Sequence, residues 1–216
     1  MIPIDGVVVD IGAHAGQFSK LFAKMARKGE VYAFEPSAYA RSVMAPAVGL
    51  NRLRNITLIA KGLGERSEPL VLHTPLKRQR SLGFGTAHIG ASQGPTVDQT
   101  IEMTTLDEFV AERAINRLDL IKADVEGWEL RALKGGEAAL RKYTPALYLE
   151  VDGALMGRAG DTPADLFDFL GQLGYRGFTT PTVGPAPAYE QPGDYLFLPK
   201  SKALTTPGGI DYIAIT

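Results

Sequence analysis

Apolar and polar positions along this chain follow two alternating rhythms. Short β-branched runs, Val7–Ile11, Glu30–Phe34, Ile56–Ile59, residues 118–123 and Ala146–Val151, are separated by stretches with apolar residues every three or four positions. Phe18, Leu21, Phe22 and Met25 predict a helix over residues 17–27, stopped by Gly29, with Lys24, Arg27 and Lys28 at its negative end. Ser37 is placed to cap a second helix running to about Leu50. Thr105 and Glu108 have the spacing of a capping box for a helix ending at Arg113. Further helices are predicted over residues 128–142 and from Thr162 and Pro163 to near Gly174. Strands and helices in strict alternation predict an α/β fold with a mostly parallel sheet. After Gly174 only strand patterns remain, GYRGFTT, DYLFLPK and IDYIAIT, and they predict an antiparallel end to that sheet. Which two of these three form the terminal hairpin is left open by the pattern.

One region has neither rhythm. Residues 77–100, with KRQR, SLGFGTAHIG and ASQGPT, are glycine-rich and aperiodic, and predict a long mobile loop that covers a site. No repeat or linker divides the 216 residues, so one domain over residues 1–216 is expected.

The first strand ends in a carboxylate and runs into a glycine turn, DIGAHAG. Ligands of open parallel sheets sit beyond the C-terminal ends of the strands, where this loop lies. Gly12 and Gly16 allow the backbone to turn tightly and approach a ligand. Glu35, followed by Pro36, ends the second strand, where an ionised carboxylate can accept both hydroxyls of a ribose. A dinucleotide loop needs glycine two positions after Gly12, and His14 stands there. Asp10 adds negative charge, which suits a cationic ligand better than a pyrophosphate. The loop therefore favours S-adenosylmethionine, with its sulfonium and ammonium groups, over a nicotinamide dinucleotide. At the fourth strand Lys122 and Asp124 share parity, and Glu126 follows at the mouth.

Composition narrows the partners. A formal net charge of -1 gives no basic footprint for nucleic acid, and KRQR is the only basic cluster. There are no cysteines, which removes disulfides and thiolate metal sites and fits a cytoplasmic protein. The apolar runs are strand-length, so no membrane partner is expected, and the first residues lack the pattern of a secretory leader.

VVDIGAHAGQFS, VYAFEPS, TTLDEFV, LDLIKADVEGWELRALKGG, PALYLEV and DYLFLPK, in that order from Val8 to Lys200, resemble the FkbM-type S-adenosylmethionine-dependent methyltransferases. The resemblance implies a Rossmann-like, doubly wound sheet of seven strands, mostly parallel with an antiparallel C-terminal strand. It implies methylation of a hydroxyl oxygen on a sugar, polyketide or other small acceptor. By motif, Asp10, Gly12, His14 and Gly16 would line the methionine part of the cofactor, Glu35 and Pro36 its ribose, and Lys61 and Gly62 its adenine. Asp124 would reach the cofactor and, with Glu126, the transferring methyl, with Lys122 holding a carboxylate in place. His14 departs from the family's usual asparagine. The chain also opens on the first strand, without the upstream helices of many relatives, so cover for the acceptor is expected from elsewhere.

Asp124, Glu126 and Glu150 are the leading candidates for the base, ahead of His73 and His88. The same three carboxylates could hold Mg²⁺, a hard cation that takes oxygen ligands, but no dedicated metal spacing is present and the base is preferred. A nucleic-acid or protein methyltransferase and a non-catalytic cofactor-binding module are the alternatives. ADVEGW stands where base-methylating enzymes commonly carry an Asn/Asp-Pro-Pro-aromatic run.

Overall fold

A computed structural model describes residues 2–76, 86–92, 94–180 and 184–201, with backbone pairing alone at 204–205 and 211–212. Strands β1 (Val7–Ile11), β2 (Glu30–Phe34) and β3 (Ile56–Ile59) alternate with helices α1 (Gln17–Met25) and α2 (Ala38–Leu50). After β4 (Gly62–Leu63), β5 (Pro69–Pro75) and β6 (Thr96–Thr104) come α3 (Leu106–Glu112), β7 (Leu120–Ala123), α4 (Glu129–Lys134) and α5 (Glu137–Tyr143). The chain continues through β8 (Ala146–Val151), α6 (Gly153–Met156), α7 (Pro163–Gln172), β9 (Tyr175–Thr179), β10 (Gly184–Pro185) and β11 (Gly193–Pro199). The main sheet has the order β10-β9-β11-β8-β7-β1-β2-β3. Seven full strands carry the fold, two-residue β10 extends one edge, and β11 runs antiparallel to both β8 and β9.

The chain winds outward from β1 through β2 to β3, then returns to place β7 against the other side of β1. The reversal of strand order between β1 and β7 opens the crevice where such sheets bind ligands. Apolar residues cover both faces. Val8, Phe22, Leu120 and Leu196 pack on the α1 side, while Ile121, Leu130, Leu140, Leu147 and Leu166 pack on the other. Among the described residues, no helix is long and apolar enough to cross a membrane.

Two expectations change, and the open choice of terminal hairpin is settled. The aperiodic region does not extend to Thr100, because β6 begins at Thr96 and pairs antiparallel with β5 from Thr96 to Glu102. Only Ile101 and Met103 of β6, with Leu72 of β5, are buried in the apolar cluster of this hairpin, so its outer half carries little hydrophobic signal. Residues 77–85 and 93, including KRQR, lie outside the described residues. The single helix expected over residues 128–142 is two helices, parted at Gly135 and Gly136. A side chain on Gly135 would lie 1.9 Å from the Gly64 carbonyl oxygen, and one on Gly136 2.6 Å from Leu106. The terminal hairpin is β9 with β11. Of IDYIAIT, only β13 (Asp211–Tyr212) is described, paired with β12 (Leu204–Thr205) outside the main sheet.

Candidate active site

A cavity of about 250 Å³ lies over the C-terminal ends of β1, β2 and β7. Gly12, His14, Glu35, Pro36, Gly62, Lys122, Asp124 and Glu126 are in its wall. Asp10, Gly16 and Lys61 are not. Gly16 instead turns the chain into α1 at φ +76°, against the side chain of Met44.

The first loop is held by its neighbours. Gly12 and Ala13 both donate to the Phe34 carbonyl, each at 3.0 Å, which ties β1's exit to β2. Gly12 and His14 have φ of 74° and 47°, the left-handed region. His14 accepts the cost a β-carbon brings there, and its amide donates to Glu35 Oε2 at 2.8 Å. Glu35 Oε1 accepts from the Ser37 amide, also at 2.8 Å. Both carboxylate oxygens are thereby aimed, and each keeps lone-pair capacity for a ligand hydroxyl. Burial is the main influence on Glu35 and raises its pKa against these two hydrogen bonds.

Asp10 sits beneath the wall with no exposed surface, so its charge faces inward rather than toward a ligand. Its carboxylate takes the Ser19 hydroxyl and lies 3.5 Å from Lys122 Nζ. Burial raises its pKa, and Lys122 opposes that shift most strongly. Lys122, itself 2% exposed, also donates to the Gly12 carbonyl at 3.1 Å and lies 3.5 Å from Asp124. Its ammonium stands 5.3 Å from the centre of the Phe18 ring. This one buried cation joins α1, the first loop and the exit of β7.

The loop after β7 carries the second group of acids. Asp124 retains 45% side-chain exposure and faces the cavity. Glu126 has φ 56°, and Gly127 packs so closely on the α6 backbone that a β-carbon would lie 2.3 Å from the Leu155 carbonyl. Glu129, buried in the first turn of α4, fixes this turn by accepting from the Val125 and Gly127 amides at 2.9 and 3.3 Å. Burial pushes the Glu129 carboxyl up to about 7. Glu126 is raised by burial and then by Asp124, with Arg158 at 3.9 Å opposing. Glu150, at the end of β8, is pushed up to about 8 by burial and by Asp124 beside it.

The sequence reading did not single out Phe18, Leu72, Met103 or Trp128, all in the wall, or Glu129. Leu72 and Met103 come from the unexpected β5–β6 hairpin and, with Trp128, form the apolar lobe next to Gly62. A usable signal existed for Glu129: it lies one residue from Trp128 in the first turn, where an acid suits the helix dipole. His88 borders the cavity and bonds the Thr86 carbonyl, whereas His73 lies outside it and pairs with Asp98. Among the described residues, no group of three or more His, Asp or Glu side chains is placed to hold a metal ion.

Strand order, glycine loop and acid at the second strand's end define a Rossmann-like fold with a cavity at its switch point. Residues 10–176 match the methyltransferase FkbM domain, and the chain belongs to that family. It is 28% identical to the 2-O-methyltransferase NoeI of Sinorhizobium fredii over 166 residues, 68% of this chain and 63% of that protein. It is 29% identical over 208 residues to the AMB antimetabolite synthetase AmbE of Pseudomonas aeruginosa, covering 77% of this chain and 9% of AmbE. The chain thus spans less than two thirds of either relative. A crystal structure of methyltransferase FkbM from Methylobacillus flagellatus KT superposes with a TM-score of 0.58 at 18% identity, over 92% of this chain and 44% of that one. The Methanococcus jannaschii fibrillarin pre-rRNA processing protein shares the fold with a TM-score of 0.52 at 15% identity, over 94% and 70%.

Proposed function

We propose that this chain binds S-adenosylmethionine in the cavity over β1, β2 and β7 and methylates a hydroxyl oxygen of a small acceptor, such as a sugar or polyketide. The observation that carries this reading is the pairing of Glu35 with the Gly12 loop. Its carboxylate is fixed by the His14 and Ser37 amides at the rim of a cavity walled by glycine. That arrangement fits a ribose, with Gly62, Leu63, Leu72, Met103 and Trp128 forming an apolar lobe for the base. Gly12, His14 and Asp124 would border the methionine portion. When bound, the cofactor supplies a methyl group already activated by its sulfonium.

The protein's part is alignment and proton removal. Asp124, exposed at the mouth, is placed to accept a hydrogen bond from an acceptor hydroxyl, and Glu126 lines the same wall. A base in that position contributes roughly 10²–10⁴-fold. Lys122, at the base of the wall and 3% exposed at its side chain, positions Asp124 from below.

Calorimetry with S-adenosylmethionine and with NAD tests the cofactor. Binding of the first alone is expected, and Glu35→Ala should weaken it by about 1–3 kcal/mol through loss of a charged acceptor. Preference for NAD would overturn the reading. A methyl-transfer screen over sugar, polyketide and phenolic hydroxyls then tests the reaction.

A further inference from the structure

Asp124 and Glu150 stand at neighbouring strand ends. β7 and β8 run parallel with Lys122 opposite Tyr148 and Ala123 opposite Leu149. The next residue along each strand direction is Asp124 and Glu150, which share a face, so their carboxyls stand side by side where β7 and β8 end. Two ionised carboxylates so placed repel and only accept hydrogen bonds, so a single proton held by the pair is favoured. Glu150 is the member suited to carry it. Its Oε2 is shielded from solvent and has no hydrogen-bond partner. Asp194 lies directly opposite it on β11 and accepts from the Tyr148 hydroxyl at 2.8 Å.

The charges facing the pair are unbalanced. Glu126 and Glu129 act on Glu150 from the turn after β7 and the start of α4, and Asp194 adds a carboxylate from β11. Against them stands Lys122, which is divided between Asp10 and Asp124. Arg158 lies nearer Glu126, at 3.9 Å. From α1 the facing group is the neutral Phe18 ring. A mobile positive charge placed in the cavity beside Asp124 would therefore change which protonation state is favoured.

We propose that Glu150 keeps a proton in the cofactor-free protein and donates it to Asp124, and that a cationic methyl donor bound beside Asp124 expels this proton to solvent. This rests on the S-adenosylmethionine reading above. The vacated pair is then ready to take the acceptor's hydroxyl proton as the new carbon–oxygen bond forms and the carbon–sulfur bond breaks, its electron pair remaining on sulfur. The product thioether is neutral, so the pair reverts to its protonated resting form once the methyl is gone. Glu150 is a positioning residue in this scheme, acting through Asp124. The base is armed only while the methyl donor is in place.

The test counts protons rather than turnover. Binding of S-adenosylmethionine and of S-adenosylhomocysteine is measured by calorimetry at pH 7 in buffers of different ionisation enthalpy. The sulfonium ligand should release close to one proton more than the thioether. That excess should vanish at pH 9, where Glu150 is already ionised, and in Glu150→Gln at pH 7. Equal release by the two ligands overturns the proposal, as does an excess that persists in Glu150→Gln. The pH 9 arm needs no variant. An infrared difference spectrum of wild type minus Glu150→Gln at pH 7 should contain a protonated-carboxyl band, and its absence overturns the resident proton whether or not ligand binds. If neither ligand binds, the cofactor reading itself fails and the trigger with it, an outcome distinct from binding with equal proton counts.

Discussion

The carbonyl oxygen of Asp124 occupies the space that a side chain on Gly12 would need. A β-carbon at Gly12 would lie 2.1 Å from that oxygen and 2.9 Å from Val125 Cγ1. The first loop and the exit of β7 are therefore in backbone contact across the switch point, so what disturbs one disturbs the other.

Gly12→Ala is expected to fail twice, through φ +74° and through this contact. Gly160 provides the control, because it has φ +79° with nothing within 4 Å of its would-be β-carbon. Gly160→Ala should cost about 1–2 kcal/mol, the left-handed penalty alone. Gly12→Ala should cost at least about 1 kcal/mol more and weaken S-adenosylmethionine binding tenfold or more. Urea unfolding of both variants and calorimetry of the first give the comparison. Equal destabilisation would mean that the Asp124 loop yields at little cost.

Lys122 should prove essential to the fold before it proves essential to the chemistry. Lys122→Met leaves Asp10 fully buried with only Ser19 to satisfy it, and removing one partner of a buried ion pair costs about 3–5 kcal/mol. Adding Asp10→Asn removes the stranded charge and should restore most of that stability. Denaturant midpoints of the single and double variants decide the matter. A single variant within about 1 kcal/mol of wild type would show that Asp10 is relieved by protonation instead.

Much of this was legible in the sequence for a simple reason. β1, β2, β3 and β8 have the bounds that their apolar runs predict; β1, β2 and β8 lie inside the sheet, covered on both faces, and read as continuous hydrophobic stretches, while β3 at the edge is a short run of β-branched and apolar residues. Lys122 and Asp124 meet as their shared parity implies. The hairpin of β5 and β6 was hidden because one of its faces is largely solvated, with Val71 and Val97 both exposed. The inward aim of Asp10 was hidden too, since a sequence shows a charge beside a loop but not the lysine that will neutralise it. Glu129 carried only the weak signal of an acid in a helix's first turn, since acids are common there for reasons unrelated to a buried loop.

Asp124→Asn and Glu126→Gln separate binding from chemistry. Each keeps its size and removes the charge that a proton acceptor needs. Turnover by Asp124→Asn should fall tenfold or more, a barrier increase of about 1.4 kcal/mol, with S-adenosylmethionine affinity changed far less. Glu126→Gln is expected to give a smaller loss, because Arg158 already engages that carboxylate. Steady-state rates beside calorimetric affinities provide the check. A collapse of cofactor affinity in Asp124→Asn, with turnover falling only in step, would assign Asp124 to the cofactor rather than the acceptor.

Glu129 should make stability depend on pH in a direction opposite to that of an ordinary salt-bridged acid. Burial lifts its carboxyl from 4.5 to about 7 in the folded protein, so the folded state binds this proton more tightly than the unfolded chain. The stabilising contribution is complete below about pH 4.5 and is lost as pH rises through about 7. Over that window the shift corresponds to about 3 kcal/mol. Glu129→Gln keeps a carbonyl oxygen able to accept from the Val125 and Gly127 amides but cannot titrate. Asp10, Glu35, Glu126 and Glu150 titrate in both proteins, so the difference between the two stability curves isolates residue 129. Between pH 5 and pH 8 the variant should gain on wild type by about 2–3 kcal/mol in urea unfolding. Parallel curves across that range would mean that Glu129 is charged at both ends of it, and that the turn beneath Glu126 is held by a carboxylate rather than a carboxylic acid.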